Sequence, residues 1–282
     1  MKNLVKLLGL FVLIGFSFFY TDKVLNVIRE EDKVMIELTS VMDVYKEDAV
    51  DAKVVDNTII PGIKGRIINV DKSYNKMKQL GIFNKNLIIY DEVEPSISIS
   101  NNKDKFIISA NSNKKMVSIL FILDNDKRLD TINKILDSKG VSANYFVDYN
   151  YLVNNSTKIK EIKTHEFYSY GDNGEYRPDN LLFSNNLISR IKDNDAIYCL
   201  SLDMNVDTLK MCSNNNLYTI IPSIIGGNRP YTNVKTNLTS GSIILLELNN
   251  ETINELSIII DYIKGKGLSI SPLSKLLSED LT

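Results

Sequence analysis

Residues 116–147 read MVSILFILDNDKRLDTINKILDSKGVSANYFV. An unbroken apolar run is followed by an acidic loop, by apolar residues at helical spacing, by Gly140 and by a second apolar run. Apolar runs of this kind are strands buried on both faces, and an intervening helix makes the two strands parallel. That is how an α/β barrel opens. Barrels place their chemistry at the C-terminal ends of strands, yet this strand closes on Phe121, Ile122 and Leu123.

The alternation continues outward from this stretch. Further strands are expected near residues 196–200, 217–221, 242–248 and 268–271, and helices near 129–139, 181–192, 206–213 and 252–264. Asn205 and Asn250 read as N-caps, and Gly140 and Gly265 fall where helices should stop. Residues 112–282 are fewer than the roughly 250 of a full eightfold barrel, so the expectation is α/β, an incomplete or deformed (β/α) barrel. A small α+β domain is expected over 23–111, beginning with a charged helical stalk. It contains a Pro61-Gly62 turn and a helix capped by Asp71, ended by Gly81 and carrying Tyr74, Met77 and Leu80 on one face.

With 282 residues, 44% of them hydrophobic, the chain can bury a large core without metals or disulfides. The net charge of -2 comes with no basic stripe, which excludes nucleic acid as the expected partner. Cys199 and Cys212 lack the close pairing of metal ribbons and redox motifs. They read as two buried thiols, with a disulfide as the alternative if the chain lies outside the cytoplasm. At the N-terminus, Lys2 and Lys6 precede the uncharged apolar run 7–20. The run is short of the roughly 20 residues that usually span a bilayer, but Leu4, Val5 and a snorkelling Lys6 extend it. Its small-x-small site, Gly15-Phe16-Ser17, is followed by aromatic residues, a poor context for cleavage. Residues 1–22 are therefore read as an uncleaved single-pass anchor, with the C-terminal domain extracytoplasmic.

Three stretches resemble the polysaccharide deacetylase, or NodB-homology, family. VSILF with the following helix and GVSANYFV resembles that family's first strand, acidic motif and G-V-x-A-T-F-F-V second strand. EIKTHEFYS resembles the stretch carrying E-I-G-N-H, and LTSGSIILLELNNETINELSIIIDYIKGKGLSISPLSKLL resembles the closing strand, helix and T-L-S-E-L-L segment. The resemblance covers about residues 112–282. It implies a metal-dependent hydrolase that removes acetyl groups from N-acetylated sugars, with a zinc-type ion on one Asp and two His, an Asp base and a His acid.

The residues that would do this are largely missing. The acid pair falls on Ile122 and Leu123, which neither bind metal nor titrate; Asp124 and Asp126 are the substitutes the loop offers. His165 matches the family's first His, but the position four residues on is Ser169. The final His position is Glu247, followed by Leu248. Each survivor also has a plainer role: His165 as a hydrogen-bonded loop residue, Asp124 and Asp126 as turn and cap, and Glu247 as a salt-bridge partner of Arg177. Tyr168, Tyr170 and Tyr176, with Arg177, crowd the expected barrel mouth; they read equally as a sugar-stacking surface or as a roof over it. The reading is a membrane-anchored, extracytoplasmic, catalytically inactive deacetylase-like protein of a Gram-positive-type cell. It would bind cell-wall glycan and hold no metal. The alternatives are an active hydrolase with zinc on a rebuilt site, and a structural partner of an envelope or spore assembly protein.

Overall fold

The computed structural model describes residues 2–192 and 194–281; for residues 2–10, Asp22, Leu25 and Asn26 only the backbone is described. The chain forms two compact units: residues 1–49 with 64–93, and residues 50–63 with 94–282. This division differs from the linear one expected at 111. The strands Lys53–Val55, Thr58–Ile60 and Phe106–Ile107 belong to one sheet with Tyr198–Leu200 and Tyr218–Ile220, so pairing distant in sequence redraws the boundary.

The smaller unit contains helices Lys2–Glu30, Lys33–Ser40 and Val70–Met77 and an antiparallel hairpin of Gly65–Ile68 with Tyr90–Val93. Val34, Leu38, Ile68 and Met77 form its core. The cap of the Val70–Met77 helix is Asn69, which accepts the Lys72 N–H at 2.9 Å, and not Asp71. Asp71 is turned to an ion pair with Arg29. Met77 is fully buried but Leu80, beyond the helix end, is 56% exposed, so the expected apolar face is shorter than its pattern. Among the described residues no helix is long and apolar enough to cross a membrane; the side chains of residues 2–10, part of the expected anchor, lie outside the described residues.

The larger unit is an open barrel with seven principal parallel strands; the two-residue strands Phe106–Ile107 and Ser269–Ile270 also pair in parallel, the latter with Met116–Leu123 where a strand was expected near 268–271. In chain order the seven are Met116–Leu123, Asn144–Val147, Glu166–Ser169, Tyr198–Leu200, Tyr218–Ile220, Ile224–Ile225 and Ile243–Leu246. The sixth, seventh, first, second and third form one continuous sheet, and the fourth and fifth lie in another. Period-two alternation sorts the side chains of the first strand. Val117, Ile119, Phe121 and Leu123 pack with the helices, against Leu129, Ile132 and Ile260, while Leu120 and Ile122 pack with Phe146, Tyr168 and Tyr198 on the inner face.

Each face carries an aromatic row set by the strand register. Phe121, Tyr145 and Phe167 are paired neighbours on the helix side, with ring centroids 5.4 and 5.3 Å apart. Phe146, Tyr168 and Tyr198 follow one another inside, at 5.3 and 5.2 Å. Phe121 therefore faces the helices and not the barrel interior.

No backbone ladder joins the third and fourth strands among the described residues, and two side chains bridge them instead. Near the strands' beginnings, the Asn194 amide meets the Phe167 N–H at 3.3 Å and the Phe167 carbonyl at 3.0 Å. Near their ends, the Tyr176 hydroxyl accepts the Leu200 N–H at 2.8 Å and lies 3.2 and 3.1 Å from the Ser169 and Leu200 carbonyls. Each bridge satisfies backbone groups that the missing ladder would leave unpaired.

Cys199 and Cys212 are not free thiols. They form a disulfide that ties the fourth strand to the helix Val206–Asn214, with Cα atoms 6.4 Å apart. Asn205 caps that helix as expected, whereas the Asn250–Gly265 helix is capped by Asn249. The left-handed residue that ends it is Gly267, at φ +74°, because Gly265 is still helical.

Candidate functional site

The C-terminal ends of the barrel strands surround a cavity of about 420 Å³. Ile122 and Asp124 come from the first strand and its loop, Tyr170 and Asn173 follow the third, Leu202 the fourth, and Glu247 to Asn249 the seventh. Ile122, Leu202, Ile225, Leu245, Leu246 and Leu248 make the lining largely apolar. Asp124, Asn125, Asn173, Glu247 and Asn249 supply polar groups beside Tyr170.

The geometry at the first strand follows from its pleat. Leu120 and Ile122 share the inner face, and Asp124 extends that side just past the strand end, while Leu123 is buried among the helices. The two positions where the resemblance would put the acid pair thus send Ile122 into the cavity and Leu123 behind the sheet. Asp124 is exposed and accepts the Asn125 side-chain amide at 2.6 Å. Asp126 does not line the cavity; it is paired with Lys158 at 3.0 Å, which holds its carboxyl below the usual range.

The third strand delivers Tyr170, not His165, to this end. His165 precedes the strand Glu166–Ser169 and lies at the opposite end of the barrel, where its Nδ1 accepts the Ala143 N–H at 3.3 Å. Burial lowers its pKa. Tyr170 is thus at the mouth as expected, whereas the motif's spacing, which carries no register of its own, did not tell at which end His165 lies. Tyr170 is buried, and its pKa is raised first by burial and then by the Asp124 and Asp148 carboxylates. Gly174, at φ +86°, leaves the room the Tyr170 ring uses, because a Cβ there would stand 3.0 Å from its hydroxyl.

Two of the tyrosines expected at the mouth are structural. Tyr168 is fully buried in the inner aromatic row and donates to Glu166 Oε2 at 2.6 Å. Tyr176 is the buried bridge between the third and fourth strands. Neither presents a face to a sugar. Arg177 pairs with Asp172 at 3.2 Å and Glu175 at 3.7 Å, and not with Glu247, whose carboxylate accepts the Asn249 amide at 2.9 Å.

A residue the sequence reading passed over organises the mouth. Asp148, immediately after the second strand, accepts the Asn150 N–H at 2.9 Å and Tyr151 N–H at 3.2 Å, capping the helix Tyr149–Glu161. Its other oxygen accepts the Asn173 N–H at 2.7 Å, which holds the loop after the third strand. An Asp between an apolar run and a helical one is a cap signal, and it stood in FVDYN.

The divalent metal that such a fold implies does not fit these residues. Among the described residues no three His, Cys, Asp or Glu side chains converge as ligands. At the mouth the donors are two carboxylates, each already hydrogen-bonded to an amide, and no imidazole.

No family model matches the chain. In sequence it is similar to the uncharacterized protein YlxY of Bacillus subtilis strain 168, 25% identical over 241 residues, 78% of this chain and 75% of that protein. In structure it is similar to BA3943, a CE4 family pseudoenzyme from Bacillus anthracis, with a TM-score of 0.67, 20% identity and coverage of 89% of this chain and 97% of that one. The fold is that of the CE4 deacetylases. A CE4 pseudoenzyme mutant of BA3943 with restored enzymatic activity matches with the same score. PdaA of Bacillus subtilis, a family 4 carbohydrate esterase, matches at 0.53 with 14% identity, over 82% of this chain and 97% of its own. The CE4 fold therefore surrounds a mouth to which the first strand contributes Ile122.

Proposed function

We propose that this chain is a catalytically inactive member of the polysaccharide deacetylase family that holds cell-wall glycan at its barrel mouth. The observation that carries this reading is a cavity of about 420 Å³ that keeps its place in the fold without the groups that would activate a water. Apolar side chains beside amides are the surroundings in which a sugar ring finds both contact area and hydrogen bonds. The likeness to a CE4 pseudoenzyme supports the same reading. The apolar run 7–20, preceded by Lys2 and Lys6, would anchor the chain in the membrane, with the barrel on the outer side.

The test pairs chemistry with binding. Acetate release from N-acetylglucosamine oligomers and from peptidoglycan should equal the protein-free control, with zinc, cobalt or manganese added. Pull-down on peptidoglycan should retain the chain, and Leu202→Ala with Asn173→Ala should weaken retention. Turnover abolished by Glu247→Gln would overturn the inactive reading. Absence of glycan retention would overturn the binding role.

A further inference from the structure

The opposite end of the barrel holds a second cavity, of about 560 Å³, which the chemistry of the mouth leaves unused. Lys160 reaches it from the end of the helix Tyr149–Glu161, Lys163 from the following turn, and His165 from the start of the third strand. Arg190 and Lys192 come from the end of the helix Pro178–Ile191. Four cations thus line it, against one described carboxylate, Glu166. That carboxylate is already engaged: it accepts the Tyr168 hydroxyl at 2.6 Å, the Ser274 N–H at 3.1 Å and the Ser274 hydroxyl.

Lys160 and Arg190 also complement the carbonyl ends of their helices, which accounts for part of the charge. Lys163 and Lys192 need a further explanation. Lys192 is half-buried; its ammonium is held by the Ile159 and Ile162 carbonyls and lies 4.5 Å from the centre of the Phe167 ring, with no carboxylate partner among the described residues. Like charges around a concave, partly desolvated site focus a positive potential, and a bound anion relieves their repulsion. A flat membrane surface would engage only the exposed Lys160, Lys163 and Arg190, whereas the deeper His165 and Lys192 are reached by a small group that enters.

We propose that this cavity binds a soluble phosphate-bearing anion, a phosphate monoester or diester, through Lys163, Arg190 and Lys192 with His165 at its inner wall. Several cations lining one cavity suit a tetrahedral, multiply charged group, and a guanidinium can add a two-pronged contact. Burial, and then Lys163, push the Lys192 amine down to about 8. A bound anion favours the charged amine, so affinity should fall as pH rises through about 8. The other groups lining the cavity are Lys160, Lys163, Arg190, His165 and Glu166; Asp193, next to Lys192 in sequence, lies outside the described residues.

The full-length chain is titrated with inorganic phosphate and with a soluble glycerol-phosphodiester polymer, by calorimetry and by the imidazole resonances of His165, the one histidine of the chain. Saturable binding that moves those resonances is expected. Lys163→Ala with Arg190→Ala, both exposed, should weaken it by about tenfold or more, as loss of charge-assisted bonds does. No saturable binding, unmoved His165 resonances, or affinity unchanged in the double variant would overturn the proposal. Binding confined to phosphatidylglycerol vesicles, with no response to soluble phosphates, would overturn it as well.

Discussion

The two ends of the barrel are opposites in charge. The mouth cavity is lined by two carboxylates and no cation, the foot cavity by four cations and one carboxylate that is already hydrogen-bonded. In barrels the mouth is where loops can vary without disturbing the sheet, so chemistry gathers there, and the foot is usually reserved for stability. Here the mouth is a hollow of mixed apolar and polar lining where, among the described residues, no three potential metal ligands converge, while four cations line the foot. Place in a fold and chemistry are separate properties, and one can persist when the other is gone.

Both cavities adjoin the junction of the third and fourth strands at its opposite ends, Asn194 lining the foot and Tyr170 and Leu202 the mouth. The fourth strand is also tied covalently to the helix Val206–Asn214. Opening the loop between Cys199 and Cys212, 13 residues apart, with Cys199→Ala and Cys212→Ala should cost about 3 kcal/mol of unfolding free energy, read by chemical denaturation. A variant as stable as the parent would mean that the fourth strand is held by packing alone.

A smaller loss is expected from Tyr176→Phe. Removing the hydroxyl leaves the buried Leu200 N–H without its partner at the mouth side of the junction, which should cost roughly 1–3 kcal/mol in the same measurement. Glycan retention should fall with it if the mouth is the binding site, since Tyr170 and Leu202 flank this junction. Retention unchanged in a destabilised variant would move the glycan site away from the mouth.

The smallest effect belongs to the foot. Burial lowers the pKa of His165 below its ordinary 6.5, so the unfolded chain binds the proton more readily than the folded one. The neutral ring's contribution is present above 6.5 and is lost as pH falls toward the folded pKa. His165→Gln should flatten the decline in stability below pH 6.5 while leaving stability above it nearly unchanged. An equally steep decline in the variant would assign the acid sensitivity to other groups.

Much of the architecture could be read from the chain. The strand 116–123 and the helix after it are where the apolar runs and the stop at Gly140 put them, because burial on both faces leaves a continuous signal. The helix Tyr149–Glu161 and the strand Glu166–Ser169 were missed, since polar Asn, Lys and Thr fill the first and the second is short. That Ile122 and Leu123 can neither titrate nor bind metal was also legible, because no register changes the chemistry of an aliphatic side chain.

What the sequence by itself determined was identity at each position: which groups titrate, which can bind metal, and that an aliphatic pair stands at the end of the first strand. Only the tertiary structure decided where those groups meet. His165 falls at the foot because it precedes its strand, Tyr168 and Tyr176 disappear into the interior, and Asn194 and Tyr176 close a gap that no local pattern announces. The physical reason is that local sequence sets propensity and alternation, whereas strand order and register set which end and which face a side chain occupies. Register is fixed by packing partners far away in the chain.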